Sequence, residues 1–345
     1  EIIITCRSKE FGGKYKGSEI NRIKLLKHAI SKNVKYIDIE IESDINDVNN
    51  LIKNKDNTKI ILSHHNFDNT PPINELQKKY DQMNLLNPNL IKIVTFANSI
   101  NDCFTIFRLL KDKHNLIGLC MGIKGNITRI LAQKFNSYIT YASVNKGKES
   151  APGQLSINDL MNIYNFKNIN IKTKILGVIG EHAENSKSKY MHNSNFKKLN
   201  LNYVYIPFIV NPNELESFMI NFREFNFRGA AVTVPHKELI VNLIDNLDKT
   251  AKEIGATNTL VNNENNITGH NTDYYGAITA LKEKTNIKDK KVLVIGAGGA
   301  ARAMIYGLNI EKAKTTIINR TYEHAKKLGI EFDVEYDRIE NLYKY

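Results

Sequence analysis

Two adjacent histidines and one lysine stand where apolar, strand-like runs end or are interrupted. His64 and His65 follow the run IIL at 60–62, and Lys92 lies between two isoleucines in LIKIV. A lysine in a strand that is buried on both faces is costly unless it is paired or its pKa is lowered. Beside a proton-transferring histidine and a glutamate such as Glu40, that lysine is suited to Schiff-base chemistry on a ketone. The alternatives are packing histidines and a lysine that lies on an edge strand or extends its end into solvent.

The first 150 residues have the alternation of strands and helices that would position these side chains. The strand-like runs are EIIITC, KYIDIEI, TKIILSH, LIKIVTF, NLIGLCM and SYITYAS, and segments such as EINRIKLLKHAISKN between them have helical apolar spacing. This pattern predicts a (β/α)8 barrel that lacks two units upstream, although an open doubly wound sheet has the same rhythm. The polar residues lie at the C-terminal ends of the strands, which form the active-site mouth of a barrel, so the barrel is favoured.

Composition and charge narrow the class of protein. The chain has 345 residues, enough for two domains, with 42% hydrophobic and 24% charged residues, as in a soluble globular protein. No run approaches the ~20 apolar residues of a membrane span. The net charge is +12, but the lysines are scattered among many Asn and Ile residues. We therefore expect neither a nucleic-acid nor a membrane partner, and a basic surface would attract anionic metabolites.

The cysteines and the chain ends bear on the compartment. Cys6, Cys103 and Cys120 are far apart, which predicts no zinc site and no disulfide framework and suits a reducing or stromal compartment. The chain starts at Glu1 inside a strand-like run and stops at NLYKY, so we expect it to be truncated at both ends. Plastid stroma and cytoplasm are both compatible with these features.

The second half contains a second set of residues that could do chemistry. Lys237 follows V-P-H and Asp273 follows N-T, and together they form a possible acid–base pair from separate segments. Ser186 and Ser188 are two residues apart, so in an extended loop both hydroxyls can face a carboxylate. Plain solvent exposure is the alternative for serines in a loop.

A glycine-rich stretch at 291–303, KVLVIGAGGAARA, reads as a strand, a turn and a helix. In that context it predicts a dinucleotide pyrophosphate at the helix N-terminus, with Gly296, Gly298, Gly299 and Ala300 in the turn. The next strand, TTIIN, ends in Asn319, Arg320 and Thr321. An arginine there suits the 2′-phosphate of NADP(H), whereas an NAD site would have an acidic residue. The alternative is that Arg320 is an ordinary surface arginine.

Ordered motifs in the first half, TCRS, DIEI, IILSHHN, KIV, MGIKGNITR and SAPGQ, resemble the type I 3-dehydroquinate dehydratase family. The resemblance implies a barrel in which Lys92 forms an imine with the C3 ketone of 3-dehydroquinate. It implies that His65, the second histidine of the pair, moves the C2 proton and helps to expel the C1 hydroxyl, and that Glu40 orients and polarises His65. Arg129 would clamp the substrate carboxylate. Further substrate contacts are implied for Arg7, Ser150 and Gln154.

The second half resembles the shikimate dehydrogenase family through S-K-S…HN, VTVPHK, GATNT, NTD, GAGGAAR and NRT, in that order. The resemblance implies that Lys237 and Asp273 assist proton transfer at the C3 oxygen of shikimate while NADPH delivers hydride. Shikimate would be held by Ser186, Ser188, Thr233, Asn258 and Asp273. The chain departs from the family pattern at Lys189, where proline is common, and at Ala231, where Asn or Ser is common. In the first half, Phe11 departs from the dehydratase pattern.

Together these patterns predict three domains: a dehydratase barrel at 1–167, a substrate-binding domain at 174–272 and an NADP-binding Rossmann domain at 273–345. The predicted function is conversion of 3-dehydroquinate to 3-dehydroshikimate and then to shikimate, as in the plant-type fused enzymes of the shikimate pathway. The alternatives are the C-terminal part of a pentafunctional polypeptide, a quinate-preferring dehydrogenase and a non-catalytic NADP-binding regulator. The regulator would lack some of Lys92, His65, Lys237 and Asp273, and all four are present.

Overall fold

The computed structural model describes residues 2–345, so Glu1 of the first predicted strand lies outside the described residues. The chain divides into two compact units. Unit 1 runs to Thr173 and also includes His192–Val204, and unit 2 comprises Lys174–Met191 and Tyr205–Tyr345. No helix among residues 2–345 is both long enough and apolar enough to cross a membrane.

Unit 1 contains a sheet of five parallel strands in the order β1-β2-β3-β4-β5. A doubly wound sheet reverses its strand order at a switch point, whereas each strand of a barrel wall pairs with the next in the chain. The described strands follow the second pattern. Their bounds are β1 Ile3–Thr5, β2 Tyr36–Glu40, β3 Lys59–His65, β4 Leu90–Phe96 and β5 Leu116–Met121. The helices are α1 Glu19–Ser31, α2 Ile45–Lys53, α3 Ile73–Asn84, α4 Asn101–Leu110 and α5 Asn126–Ile130.

The segment SYITYAS, predicted as a sixth strand, forms no strand in the part of the chain that the structure describes. Its Tyr138 N–H donates to the Leu116 carbonyl at 2.9 Å. The next donor along β5 is the Gly118 N–H. It donates to the Ser137 hydroxyl at 3.2 Å rather than to a backbone carbonyl. The prediction of a strand was wrong here because a side chain interrupts the ladder that would have continued the sheet.

Unit 2 contains two sheets. The first has the order β7-β6-β8-β10-β11-β9, with β6–β8 and β9–β11 parallel and β8–β10 and β10–β11 antiparallel. The second is parallel, in the order β12-β13-β14. The predicted α/β class is confirmed.

The elements of the second half have the following bounds. The strands are β6 Lys174–Gly180, β7 Tyr203–Ile209, β8 Gly229–Val232, β9 Asn246–Leu247, β10 Thr259–Asn263, β11 Asn266–His270, β12 Lys291–Ile295, β13 Lys314–Asn319 and β14 Glu335–Arg338. The helices are α6 Ser188–Lys198, α7 Leu215–Glu224, α8 His236–Leu239, α9 Lys249–Ile254, α10 Asp273–Lys282, α11 Gly299–Ile310 and α12 Tyr322–Phe332.

Several helices are followed by an asparagine with left-handed backbone geometry. Asn33 after α1, Asn87 after α3 and Asn226 after α7 have φ angles of 54°, 52° and 49°. The left-handed region is the usual way for a helix to stop, and asparagine enters it more easily than most residues that have a Cβ. Some of the many asparagines in the chain therefore serve to end helices.

Candidate active sites

The polar residues of unit 1 are gathered on one face of the sheet. In a strand, alternate residues share a face, so Asp38 and Glu40 in β2 point the same way, as do Ser63 and His65 in β3. The register pairs Glu40 with Ser63 and Ser63 with Lys92 of β4. The rest of this face is apolar and includes Tyr36, Ile61, Leu90, Val94, Ile117 and Leu119. The polar cluster is therefore enclosed by a hydrophobic core.

Lys92 is 8% exposed and is paired. Its Nζ donates to Asp38 Oδ2 at 2.9 Å and lies 4.6 Å from the centroid of the Tyr141 ring. Burial lowers the pKa of Lys92, the Asp38 carboxylate raises it and the Arg7 guanidinium lowers it, and the net result is a lowered pKa. At a given pH, a lysine with a lowered pKa has a larger neutral fraction, and the neutral amine is the form that attacks a carbonyl.

Arg7, just after β1, connects the other members of the cluster. Its Nε donates to Glu40 Oε1 and its Nη2 to Asp38 Oδ1, both at 2.9 Å. Its Nη1 lies 2.8 Å from His65 Nδ1 and also contacts Nε2. Burial, together with the positive charges of Lys92 and Arg7, lowers the pKa of His65 to about 2. His65 is therefore neutral at neutral pH.

Glu40 reaches His65 only through Arg7. Its Oε1 accepts from Arg7, and its Oε2 accepts from Nη1 of the buried Arg22 at 2.6 Å. Arg22 is also held by Glu19 and Ser43. Both oxygens of the Glu40 carboxylate are paired with arginines, and Arg7 is the group that contacts both Glu40 and His65.

His64 lies at the same strand end in a different environment. Its Nδ1 contacts Glu42 Oε1, and its side chain is 19% exposed. His65, in contrast, stacks on Phe67 with ring centroids 5.9 Å apart. The two histidines are therefore on opposite sides of the strand, as the alternation of side chains requires.

Arg129 in α5 is 2% exposed. Its Nη1 donates to the Tyr141 carbonyl at 3.3 Å, and its Nε has no hydrogen-bond partner among the described residues. Burial lowers the pKa of Arg129 to about 10, so the guanidinium stays charged at neutral pH. A buried cation with an unused donor, next to the residue whose ring covers Lys92, is suited to binding an anion.

Ser150 and Gln154 contact each other rather than the Lys92 cluster. The Ser150 N–H and hydroxyl both donate to Gln154 Oε1, at 2.8 and 3.2 Å. Both residues line a cavity of about 570 Å³ in the loop at 149–154. The Pro152 carbonyl of this loop accepts from the Gly122 N–H, just after β5, at 3.0 Å.

Sequence reasoning missed Asp38, Ser63, Arg22 and Tyr141. A signal existed for Asp38, since it stands two residues before Glu40 in a strand and must share its face. No comparable signal existed for Arg22 or Tyr141, because their contacts depend on how a helix and a loop pack on the sheet.

In unit 2, Lys237 and Asp273 form an ion pair. Lys237 Nζ lies 2.5 Å from Asp273 Oδ2, and Asn258 Nδ2 donates to Asp273 Oδ1 at 2.6 Å. Asp273 is the first residue of α10, where the helix dipole stabilises a carboxylate. The three residues come from three separate segments and converge as one hydrogen-bonded group.

Two cavities share Thr233 in their linings, and one of them borders the group through Lys237. Ser186, Ser188 and Thr233 line a cavity of about 460 Å³. Thr233 also lines a second cavity of about 180 Å³, together with Lys237, Gly299 and Ala300. The predicted hydroxyl contacts thus lie in one cavity, and the lysine lies beside the glycine-rich turn.

The glycine-rich turn leaves room for a phosphate group. Gly296 has a φ of 120°, which favours glycine, and a Cβ added at Gly296 or Gly298 would meet no atom within 4 Å. Helix α11 starts at Gly299, and Gly298 provides no side-chain cap, so the first N–H groups of the helix can bind an anion. At Gly299 a Cβ would lie 2.7 Å from Lys237 Cβ, so only glycine permits this close approach.

The end of the second Rossmann strand carries the remaining predicted residues. Arg320 is exposed, and Asn319 Nδ2 donates to the Thr321 carbonyl at 2.9 Å. Strand β13 pairs with β12, with Ile318 opposite Ile295, so its end lies beside the glycine-rich turn. This geometry fits a dinucleotide that places its adenosine ribose near Arg320.

Three family models match the chain. They are described as Type I 3-dehydroquinase for residues 1–171, Shikimate dehydrogenase substrate binding domain for residues 178–260, and Shikimate / quinate 5-dehydrogenase for residues 279–345.

Two multifunctional proteins match nearly the whole chain. The bifunctional 3-dehydroquinate dehydratase/shikimate dehydrogenase, chloroplastic, of Arabidopsis thaliana is 36% identical over 95% of this chain and 57% of that protein. The pentafunctional AROM polypeptide of Candida glabrata is 32% identical over 98% of this chain and 22% of that protein. Among solved structures, shikimate dehydrogenase from Aquifex aeolicus matches with a TM-score of 0.48 and 41% identity, over 51% of this chain and 67% of that one. The chain thus spans less than two thirds of the two named multifunctional relatives.

Proposed function

Because the chain belongs to the type I 3-dehydroquinase and shikimate dehydrogenase families, we propose that it dehydrates 3-dehydroquinate and then reduces the product to shikimate. The observation that carries the first activity is a buried, ion-paired Lys92 beside a neutral His65. The observation that carries the second is the Lys237–Asp273 pair beside an open glycine-rich turn. Domains at 1–167, 174–272 and 273–345 are part of this proposal.

In the dehydratase half, the neutral Lys92 amine attacks the C3 ketone and water leaves, giving an imine. His65 removes a C2 proton, and the electron pair is delocalised into the imine. That electron pair then expels the C1 hydroxyl, which leaves as water with the proton that His65 returns. Hydrolysis of the imine releases 3-dehydroshikimate and restores Lys92. Arg129 would pair with the substrate carboxylate, which its burial and unused Nε donor support, and Arg7, Ser150 and Gln154 would provide further polar contacts.

Borohydride reduction tests the dehydratase proposal. The protein incubated with 3-dehydroquinate and borohydride should gain the mass of the reduced adduct on the peptide that contains Lys92. Lys92→Ala should not be labelled. Lys134→Ala is the matched control, since Lys134 is also partly buried with a lowered pKa and lies outside the cluster. Equal labelling of the Lys92→Ala variant would refute the role of Lys92.

In the dehydrogenase half, the hydroxyl and carboxylate groups of the substrate would be held by Ser186, Ser188, Thr233 and Asn258, and the cavity that the first three line supports this. Lys237 and Asp273 hold and transfer the proton at the C3 oxygen. Gly296, Gly298, Gly299 and Ala300 fit the pyrophosphate of NADP(H), and Asn319, Arg320 and Thr321 fit its adenosine end. When bound, NADPH supplies the hydride. The open space above the glycines supports this assignment.

Cofactor affinity tests the nucleotide assignment. Each charge-assisted hydrogen bond from Arg320 to a 2′-phosphate is worth about 1.5–3 kcal/mol, or roughly ten- to a hundredfold in affinity. Arg320→Ala should weaken NADPH by that factor and leave NADH nearly unchanged. Lys327→Ala, which removes an exposed charge from α12, is the control. An unchanged ratio of the two dissociation constants would remove the reason to prefer NADPH.

A quinate-preferring dehydrogenase is the second candidate, because the third family model is described for shikimate and quinate together. Comparing kcat/KM for shikimate and quinate in an NADP-coupled assay decides between them. We expect shikimate to be preferred.

A further inference from the structure

Asp38 has contacts that the proposed substrate interactions do not use. It is 2% exposed, and its Oδ2 accepts from Lys92 Nζ at 2.9 Å. Its Oδ1 accepts from Arg7 Nη2 at 2.9 Å and from the Ser63 hydroxyl at 2.7 Å. One oxygen of the carboxylate thus contacts the lysine, and the other is anchored to the sheet.

The two carboxylates of β2 both pair with Arg7, but each has a different second cation. Glu40 is paired with Arg7 and Arg22. Asp38 is paired with Arg7 and Lys92 and is the one carboxylate within the described residues that forms an ion pair with Lys92. Removing Glu40 would therefore leave Lys92 paired, whereas removing Asp38 would leave it without its acidic partner.

We propose that Asp38 is a positioning residue that holds the Lys92 nitrogen in place for attack on the substrate ketone and links it, through Arg7, to the proton-transferring His65. This role rests on the proposed dehydratase function. Asp38 itself takes no proton: burial opposes its ionisation, but Lys92, Arg7 and Ser63 lower its pKa to about 2. Asp38 is therefore a carboxylate while Lys92 is an ammonium, and Arg7 and Ser63 remain its hydrogen-bond donors when Lys92 loses its charge.

The charge balance around Lys92 explains why such a residue is needed. Burial and Arg7 favour the neutral amine, and an unpaired neutral lysine can turn away from the substrate. Asp38 restrains the nitrogen from one side, and the ring of Tyr141 lies against it at 4.6 Å. The charged or titratable groups near Lys92 are Arg7 after β1, Asp38 and Glu40 in β2, His65 in β3, and Tyr141 in the loop after α5.

The test measures the pKa of the Lys92 amine without substrate and its rate of imine trapping with substrate. In the first arm, the pH dependence of Lys92 labelling by fluorodinitrobenzene reports its pKa independently of any enzymatic activity. Asp38→Asn should shift the labelling curve to lower pH by about one unit or more, because an opposite charge at this distance shifts a pKa by 1–3 units. Glu42→Gln, which changes a carboxylate at the same strand end that contacts His64, should leave the curve unchanged.

In the second arm, borohydride trapping with 3-dehydroquinate is compared at a pH where labelling reports equal amounts of free amine. Asp38→Asn should be trapped at least tenfold more slowly than the unsubstituted protein. An unshifted labelling curve, or equal trapping rates at equal free amine, would overturn the positioning role. If the unsubstituted protein is not trapped at all, the dehydratase function fails and this role fails with it, even if the labelling curve shifts.

Ser63→Ala keeps the proposal testable if Asp38→Asn does not fold. This variant removes one anchor of Asp38 and leaves every charge in place. The labelling curve should stay within a few tenths of a pH unit, and trapping should slow severalfold because the carboxylate is less firmly held. Unchanged trapping would overturn the role of Asp38 in positioning Lys92.

Discussion

At the scale of single residues, the environments of His64 and His65 separate their roles. His65 lies against Arg7, within the cluster that includes Lys92, and its pKa is lowered to about 2. His64 contacts Glu42, on the other side of the strand. Under the proposed dehydratase function, we therefore expect His65 rather than His64 to exchange protons with a substrate that is bound to Lys92.

We predict that His65→Ala lowers the dehydratase kcat by about 10²–10⁴-fold, the usual loss for a general acid/base. His64→Ala should lower it less than tenfold. Steady-state rates with 3-dehydroquinate check this, with circular dichroism to verify folding. Comparable losses in the two variants would contradict the assignment.

The sequence predicted some of these residues and not their partners. Lys92 was recognisable because a charge inside an apolar run is unusual, and the histidine pair because it ends a buried strand. The Asp38–Lys92 contact was not predictable, since it depends on the register of β2, β3 and β4. The placement of Arg7 between Glu40 and His65 was missed for the same reason.

At the scale of secondary-structure elements, Arg302 joins three helices of unit 2. It is 6% exposed and stands in α11. Its Nε donates to the Ile254 carbonyl at the end of α9 at 2.6 Å, and its Nη1 donates to Glu331 of α12 at 3.0 Å. Its guanidinium lies 5.4 Å from the Phe332 ring. One side chain thus fixes the helix that follows the glycine-rich turn against its neighbours.

We predict that Arg302→Met lowers the free energy of unfolding by about 3 kcal/mol, because a buried carbonyl and a carboxylate lose a charged donor. Lys282→Met is the control. It breaks the exposed Lys282–Glu311 pair and should cost less than about 1 kcal/mol. Urea unfolding midpoints measure both values. Equal effects would show that the Arg302 contacts add no stability beyond that of a surface ion pair.

Strands were predicted correctly where a continuous run of apolar residues determines the secondary structure. Five of the six predicted strands of unit 1 are present, since a strand between two layers is a continuous apolar run. SYITYAS, which mixes polar and apolar residues, forms no strand, and its Ser137 hydroxyl accepts from the Gly118 N–H. Hydrophobic patterns do not report such local competition between side chain and backbone.

At the scale of the whole molecule, partly and fully buried histidines make stability depend on pH. Burial lowers the pKa of His65, His192 and His236 below their usual value. In the unfolded chain these groups take up protons below about pH 6.5, whereas in the folded protein they resist protonation. The stability that these three histidines contribute is therefore complete above about pH 6.5 and is lost as the pH falls.

For His65 we predict a loss of about 2 kcal/mol between pH 7 and pH 5, from the limiting slope of about 1.4 kcal/mol per pH unit. His65→Gln should flatten the pH profile of the free energy of unfolding by that amount, and His64→Gln should not. Below pH 4, protonation of Asp38, with its pKa of about 2, adds a further loss in every variant that keeps the aspartate. An identical slope in the two glutamine variants would contradict this prediction.

The asparagines that end helices also affect the unfolded state of the chain. Asn33, Asn87 and Asn226 occupy left-handed positions where glycine is the usual residue. Glycine gives the unfolded chain the most conformational freedom, and ordering it on folding therefore costs the most entropy. At these helix ends the chain accepts a small backbone strain in return for a less disordered unfolded ensemble, so part of its stability is set by residues that make no contact with either active site.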